Sequence, residues 1–209
     1  MPPVTQKCPG CGAPNLIVNP GILTLACEYC GTVIFRDSEG LRTAGGQSIL
    51  PEGFSRFYRG AVGTFNGKRF VVLGRVRYAF DRGFWDEWHL ELHDGSMAWM
   101  TEDNHEFRIE KAVEGADVPP AAKCTLGTRV VVADKSFVII ETGRARNIGI
   151  EGQIPKAVTP GEEFSYADGT TPDGQYSLGI EYRGGMTAVY TGDWLNPVSI
   201  TMDDEGTES

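Results

Sequence analysis

Four cysteines constrain this chain more than any other feature. Cys8, Cys11, Cys27 and Cys30 form C-x2-C-x15-C-x2-C, a spacing that suits a tetrahedral metal site made of two knuckles. Each pair sits in a turn, CPGCG and CEYCG, with a glycine directly after the second cysteine, where the backbone must curl tightly around the ion. The strand-forming stretches LIV and ILTLA join the two, so residues 1–36 are expected to form a zinc ribbon. Four thiolates complete the tetrahedron and leave no position for water or substrate, so the metal is expected to hold the fold and not to catalyse. Zinc is the expected ion. Iron in the same ligands is the alternative, and would make the segment rubredoxin-like and redox-active.

Compartment and charge narrow the choice of partner. The start, MPPVTQKC, has neither the charged nor the apolar region of a secretory signal, and no run reaches the roughly 18 apolar residues of a membrane span. A cytoplasmic location follows as the expectation, with thiols kept reduced and disulfides disfavoured. The formal net charge is −9. Residues 203–209, DDEGTES, concentrate acid at the end and are expected to be a disordered tail. Within residues 1–36 only Lys7 and Arg36 oppose Glu28, and a zinc with four thiolates leaves that segment slightly negative. Nucleic acid is therefore disfavoured as a partner, since phosphate binding rests on local positive charge. Arg144 and Arg146, expected on a turn, are the one small basic patch that would serve that reading.

The remainder reads as β structure. Residues 37–56 mix Gly, Ser, Pro and charge without a period and are expected to be a linker. From Phe57 onward short alternating runs are separated by turn residues, and no stretch has a sustained helical period. Asn66-Gly67 marks a two-residue hairpin, because a type I′ turn needs positive φ at both positions. Beyond it Phe70, Val72, Val76, Tyr78 and Phe80 share one parity and Arg69, Arg75 and Arg77 the other, with Gly74 marking a bulge or a close backbone approach. Asp94-Gly95 is read as a second two-residue turn, which places Trp88, Leu90 and Leu92 opposite Thr101, Trp99 and Met97 as a core face. The fold class is thus all-β: a ribbon, then an antiparallel barrel or sandwich with a first half at 57–115 and a second at 116–202. The segment YSLGIEYRGGMTAVYTGDW echoes WHLELHDGSMAWMTED, a hint that the halves are related.

The stretch FWDEWHLEL invites a search for chemistry. His89, Glu91 and His93 resemble a two-histidine, one-carboxylate set, but positions four apart on a strand are about 13 Å apart, too far for one ion. Asp86 and Glu87 are adjacent and so point to opposite faces of a strand; they are expected to pair with Arg75 and Arg77. Trp85, placed in the loop before the strand, is the tryptophan expected to be exposed. Trp85, Glu87, His89, Glu91 and Arg77 are the candidate ligand-binding residues, and no catalytic residue is assigned. Cys124 reads as a small apolar residue, with no histidine nearby in sequence to activate it. No phosphate loop, serine elbow or nucleotide fingerprint occurs.

Gly63-Thr64 followed by KRFVVLGRVRY, the WDEWHLEL strand with Gly95 and AWM, and then GQIP, GEEFSYAD, YSLGIEY and VYTGDW resemble a bacterial family labelled domain of unknown function 4178, over most of residues 57–194. The resemblance implies a bacterial, mostly β protein, often with an amino-terminal metal ribbon, and supplies no catalytic residue. The sequence leans away from catalysis and towards a binding or scaffolding module for a protein partner. An enzyme using the polar face of residues 87–93 is the alternative.

Overall fold

Asn66 and Gly67 adopt φ of 45° and 74°, the left-handed pair that the expected type I′ turn requires. They join β6 (Val62–Phe65) to β7 (Lys68–Phe80), with Phe65 directly opposite Lys68. Ahead of them a computed structural model describes the ribbon: β1 (Val4–Lys7), β2 (Pro14–Ile17), β3 (Thr24–Ala26), β4 (Thr32–Asp37) and β5 (Gly40–Gln47). After them come β8 (Gly83–Leu92), β9 (Met97–Asp103), β10 (Glu106–Ala112), β11 (Arg129–Val132), β12 (Lys135–Ile154), β13 (Glu163–Thr170), β14 (Tyr176–Arg183), β15 (Met186–Leu195) and β16 (Ile200–Met202). The structure describes residues 3–19, 21–38, 40–48, 50 and 55–203. Two 3₁₀ turns are the only helical pieces among them. The expected acidic tail from 204 onward lies outside the described residues. So do 39, 49 and 51–54 of the expected linker, whose residues 40–47 form β5 and pair with β4.

Eight strands close into an antiparallel barrel. Its order is β7-β8-β9-β10-β15-β14-β13-β12, and β12 pairs back with β7 to seal the ring. Two four-stranded meanders, β7–β10 and β12–β15, thus meet first strand to first and last to last. The echoed segments occupy different places: β8 and β9 are second and third in their meander, β14 and β15 third and fourth. The pseudo-repeat in the sequence is therefore not the symmetry of the barrel. Of the two expected bodies, barrel and sandwich, the chain forms the barrel.

Two apolar layers lie outside this ring. Phe70, Val72, Trp88, Leu90, Met100, Phe107 and Ile109 face away from the lumen and are covered by Phe57, Ala61, Phe65 and Ile200. On the second meander Phe137, Ile139, Ala167, Leu178, Ile180 and Val189 are covered by Val130, Val132 and Cys124. Cys124 is buried there as a packed apolar residue, as expected. The arrangement sends the other face of these strands inward, and that face carries Glu87, Arg108, Glu110, Asp168, Glu181 and Arg183.

Bulges and loop length decide which residue faces which way. A bulge between Val72 and Gly74 shifts the phase of β7, so Phe70 and Val72 face outward while Val76 and Tyr78 face inward. The single apolar face expected from their parity is therefore split between two cores. Gly74 is also a close approach: a Cβ there would lie 2.6 Å from the Glu151 carbonyl oxygen. The Asp94-Gly95 turn holds one residue more than expected. Leu92 N–H donates to Ser96 O and Gly95 N–H to Leu92 O (both 2.8 Å), with Gly95 at φ 78°, a three-residue loop with a glycine bulge. Trp88 consequently faces Met100 and Leu90 faces Ala98. A slip of one residue reverses every side chain, and it moves Trp99 from the expected core into the lumen beside His89, with ring centres 5.2 Å apart.

Candidate functional sites: a thiolate cluster, a charged lumen and an open mouth

The four cysteines converge. Their Sγ atoms lie within 4.8 Å of one another, with Cys8–Cys30 at 3.8 Å and Cys11–Cys27 at 3.9 Å. Thiolates about 2.3 Å from a tetrahedral ion are separated by about 3.8 Å, so the donor set fits a zinc-sized ion and can hold one. Gly10 N–H donates to Cys8 Sγ (3.3 Å), and Thr32 Oγ1 lies 3.1 Å from Cys30 Sγ, drawing that thiol down to about 6. Such outer contacts orient thiolate ligands. Among the described residues no second group of histidine, cysteine and carboxylate side chains gathers within ligand reach.

The ribbon is joined to the barrel. Leu25 and Thr24 of β3 pair with Gln153 and Ile154, extending β12. Ser48 Oγ donates to Ile150 O (2.6 Å) and accepts from Ile150 N–H (2.7 Å). Val33, with Ala26 and Ala44 against it, enters the same apolar cluster as Tyr78, Ile150 and Ile154. Thr24 Oγ1 donates to Lys156 O (2.8 Å) and accepts from Val158 N–H (3.1 Å), so the ribbon fixes the loop that carries Lys156.

Lys156 enters the lumen. Its Nζ lies 2.7 Å from Glu87 and 3.1 Å from Glu181, whose other oxygen accepts from Arg183 Nε (2.8 Å). Aromatic faces complete the surroundings: Lys156 sits 4.9 Å from the Trp99 ring centre, and Arg183 is 3.5 Å from that of Phe164. Burial raises the Glu87 carboxyl and outweighs the nearby Lys156. Burial also opposes ionisation of Glu181, but Lys156 and Arg183 overcome it and hold that carboxyl down to about 2. A second network follows along the lumen. Arg108 reaches Asp168 (3.0 Å) and Glu110 (3.2 Å), and Glu110 also accepts from Ser177 (2.9 Å); burial raises both carboxyls.

These contacts relocate most of the candidates. Glu87 points inward to Lys156 and not to an arginine, whereas Asp86 points outward and takes a two-pronged contact from Arg77 (2.8 and 2.6 Å), as expected of it. Trp85 lies on β8, not in a loop, and is buried against Tyr78, Phe80 and Tyr166. His89 is fully buried; its Nδ1 sits 3.0 Å from Gln153 O, Nε2 has no hydrogen-bond partner, and burial lowers the ring to about 4. Glu91 lines neither the charged lumen nor the cavity and groove at its mouth. Arg144 and Arg146 stand within the long strand β12, not on a turn. Lys156, Glu181, Arg183 and Arg108 were not singled out from sequence. The signal of the last three, charges at alternate strand positions as in EFRIEK and GIEYR, is the same one that marks an ordinary solvated face, and Lys156 lies in the loop after β12 with no such signal.

The lumen opens at the end away from the ribbon. A cavity of about 90 Å³ there is lined by Phe80, Trp85, Tyr166, Trp194, Asp103 and Arg108 among others. It shares Phe80, Asp103, Glu106 and Glu141 with an outer groove of about 630 Å³ whose wall includes Arg77, Phe84 and Glu102.

A family profile described as domain of unknown function (DUF4178) matches residues 59–197. The chain belongs to this family. The match begins just before β6 and ends after β15, so it spans the barrel with β6 and β11, and the ribbon precedes it while β16 follows it. No curated protein and no solved structure matches the chain. No helix of the described residues is long and apolar enough to cross a membrane.

Proposed function

We propose that this member of the family is a non-catalytic binding module for a protein partner, cytoplasmic, with one structural zinc in the ribbon. One observation carries the reading. The groups an acid–base site would use, Glu87, Lys156, Glu181 and His89, are enclosed in the barrel and the first three are engaged with one another, whereas the large concavity lies outside, at the mouth. Its volume of about 630 Å³ falls within the range of sites that bind ligands. The metal site supports the same reading, because a closed thiolate tetrahedron offers no position to substrate.

The test is site-specific crosslinking in the native cells. Replacing Phe84, half-exposed in the groove wall, with photoreactive p-benzoylphenylalanine is expected to yield one discrete protein adduct on illumination. The same replacement at Met186, more exposed and outside the groove, is expected to yield none. No adduct at 84, or the same adduct from both positions, overturns the proposal.

A further inference from the structure

The mouth has walls of two kinds. Phe80, Trp85, Tyr166 and Trp194 present aromatic surface to the small cavity. Trp85 and Tyr166 pack edge to face, 5.1 Å between centres, and among the described residues neither ring has a cation over its face, unlike Phe80 beside Arg82 and Trp194 beside Arg108. Carboxylates form the second kind. Several are already paired: Asp86 with Arg77, Glu141 with Arg82, and Asp168 with Arg108. Three others on the same walls, Glu102, Asp103 and Glu106, form no ion pair within 4.0 Å among the described residues. Glu102 accepts hydrogen bonds from the neutral donors Ser55 (2.6 Å) and Trp88 (3.0 Å). Asp103 faces the cavity and the groove together, and burial with Glu141 nearby raises its carboxyl, outweighing the pull of Arg108, which is itself held by Asp168 and Glu110.

Size and continuity restrict the occupant. A cavity of about 90 Å³ is too small for a drug-sized molecule, whose sites begin near 300 Å³, and suits one extended side chain. The groove that runs out from it is several times larger and shares four wall residues with it, so a chain lying in the groove can send one side chain into the mouth. Aromatic faces and unpaired carboxylates together select a cation. A body of net charge −9 attracts basic partners over long range.

We propose that the barrel mouth receives a lysine or arginine side chain from a basic segment of the protein partner, with Asp103 and Glu106 as its counter-charges and Trp85 and Tyr166 as its aromatic walls. The inference rests on the binding-module reading above and names the chemistry of the partner at that same site. Among the described residues no lysine or arginine forms an ion pair with Asp103 or Glu106, and Arg77, Arg82 and Arg108 at the mouth are held by other carboxylates.

The experiment uses the full metal-loaded chain with hexalysine and hexaglutamate as probes, followed by the fluorescence of Trp85 and Trp194 and by calorimetry. Hexalysine is expected to bind and hexaglutamate not to. Asp103→Asn is expected to weaken hexalysine about tenfold or more and Glu106→Gln by less, the loss of one charge-assisted contact being worth about a factor of ten or more. Glu163→Gln removes the same charge from an exposed site on β13 and is expected to change binding less than twofold. Glu106 is exposed, so its variant keeps the test valid should Asp103→Asn fold poorly. Absence of hexalysine binding overturns the inference, as does an equal loss in Glu163→Gln, which would mean diffuse attraction. If the adduct at position 84 forms and excess hexalysine does not compete with it, the partner exists and is not basic here; if no adduct forms, the binding-module reading itself fails.

Discussion

The layer outside β7–β10 and the lumen inside them are both buried, yet they are built from opposite chemistries. Outside, Trp88, Leu90, Met100 and Ile109 pack with Phe57 and Phe65, and burial stabilises in proportion to the apolar area removed from water. Inside, the same strands contribute Glu87, Thr101, Arg108 and Glu110, and stability there depends on every charge having a partner. A small barrel has room inside for little more than side chains. This one fills much of that room with ion pairs and aromatic faces, adds an apolar cluster of Val76, Ile150 and Ile154 at the ribbon end, and places the rest of its apolar surface beneath added strands. The lesson is that alternation in a strand distinguishes two faces without saying which of them meets water.

Metal removal separates the two regions most sharply. One zinc per chain is expected by elemental analysis. Chelating it is expected to abolish hydrogen-exchange protection in the ribbon and to weaken it at 150–158, where Thr24, Ser48 and Val33 hold the lumen end. Amides of β8 and β9 beneath the outer layer are expected to keep theirs. Equal loss in both regions would mean that the ribbon supports the whole barrel and not one end of it.

Single substitutions probe the comparison at smaller cost. Lys156→Met leaves Glu87 buried without its cation and is expected to destabilise by about 3–5 kcal/mol in urea unfolding. Adding Glu87→Gln is expected to restore part of that loss, since the uncompensated charge is then gone. Met100→Ala in the outer layer is expected to cost about 2–5 kcal/mol through a cavity, with no recovery from Glu87→Gln. Recovery in both backgrounds would show that the two layers are not energetically distinct.

Acid titration is the gentlest probe. The folded-state value of Glu181 is depressed to about 2, so its stabilising contribution is complete above its unfolded value of about 4.5 and is lost as pH falls towards 2. Glu87, Glu110 and Asp168 are raised by burial and act with the opposite sign, protonation favouring the fold. The stability difference between the native chain and Glu181→Gln is therefore expected to shrink as pH drops from about 4.5 to about 2. A constant difference would remove Glu181 from the charge balance of the lumen.

What the sequence alone determined follows from local rules. Cysteine spacing and the glycines after each pair set the thiolate cluster. Turn residues and the absence of a helical period gave the all-β class, and positive φ at Asn66 and Gly67 placed one hairpin correctly. Cys124 and the Asp86–Arg77 pair were likewise within reach of composition and parity. The tertiary structure decided the rest through distant events: the β7–β12 seam that turns a polar face into an interior, the bulge after Val72, and the extra residue in the 93–95 loop that carries Trp99 across the sheet. Each acts by changing phase or closing a ring. Lys156 is the extreme case, because it lies in a loop and enters the lumen only where Thr24, more than a hundred residues earlier, holds its backbone. A period of two fixes neighbours along a strand, and which side of that strand becomes the inside is settled by the strands that meet it.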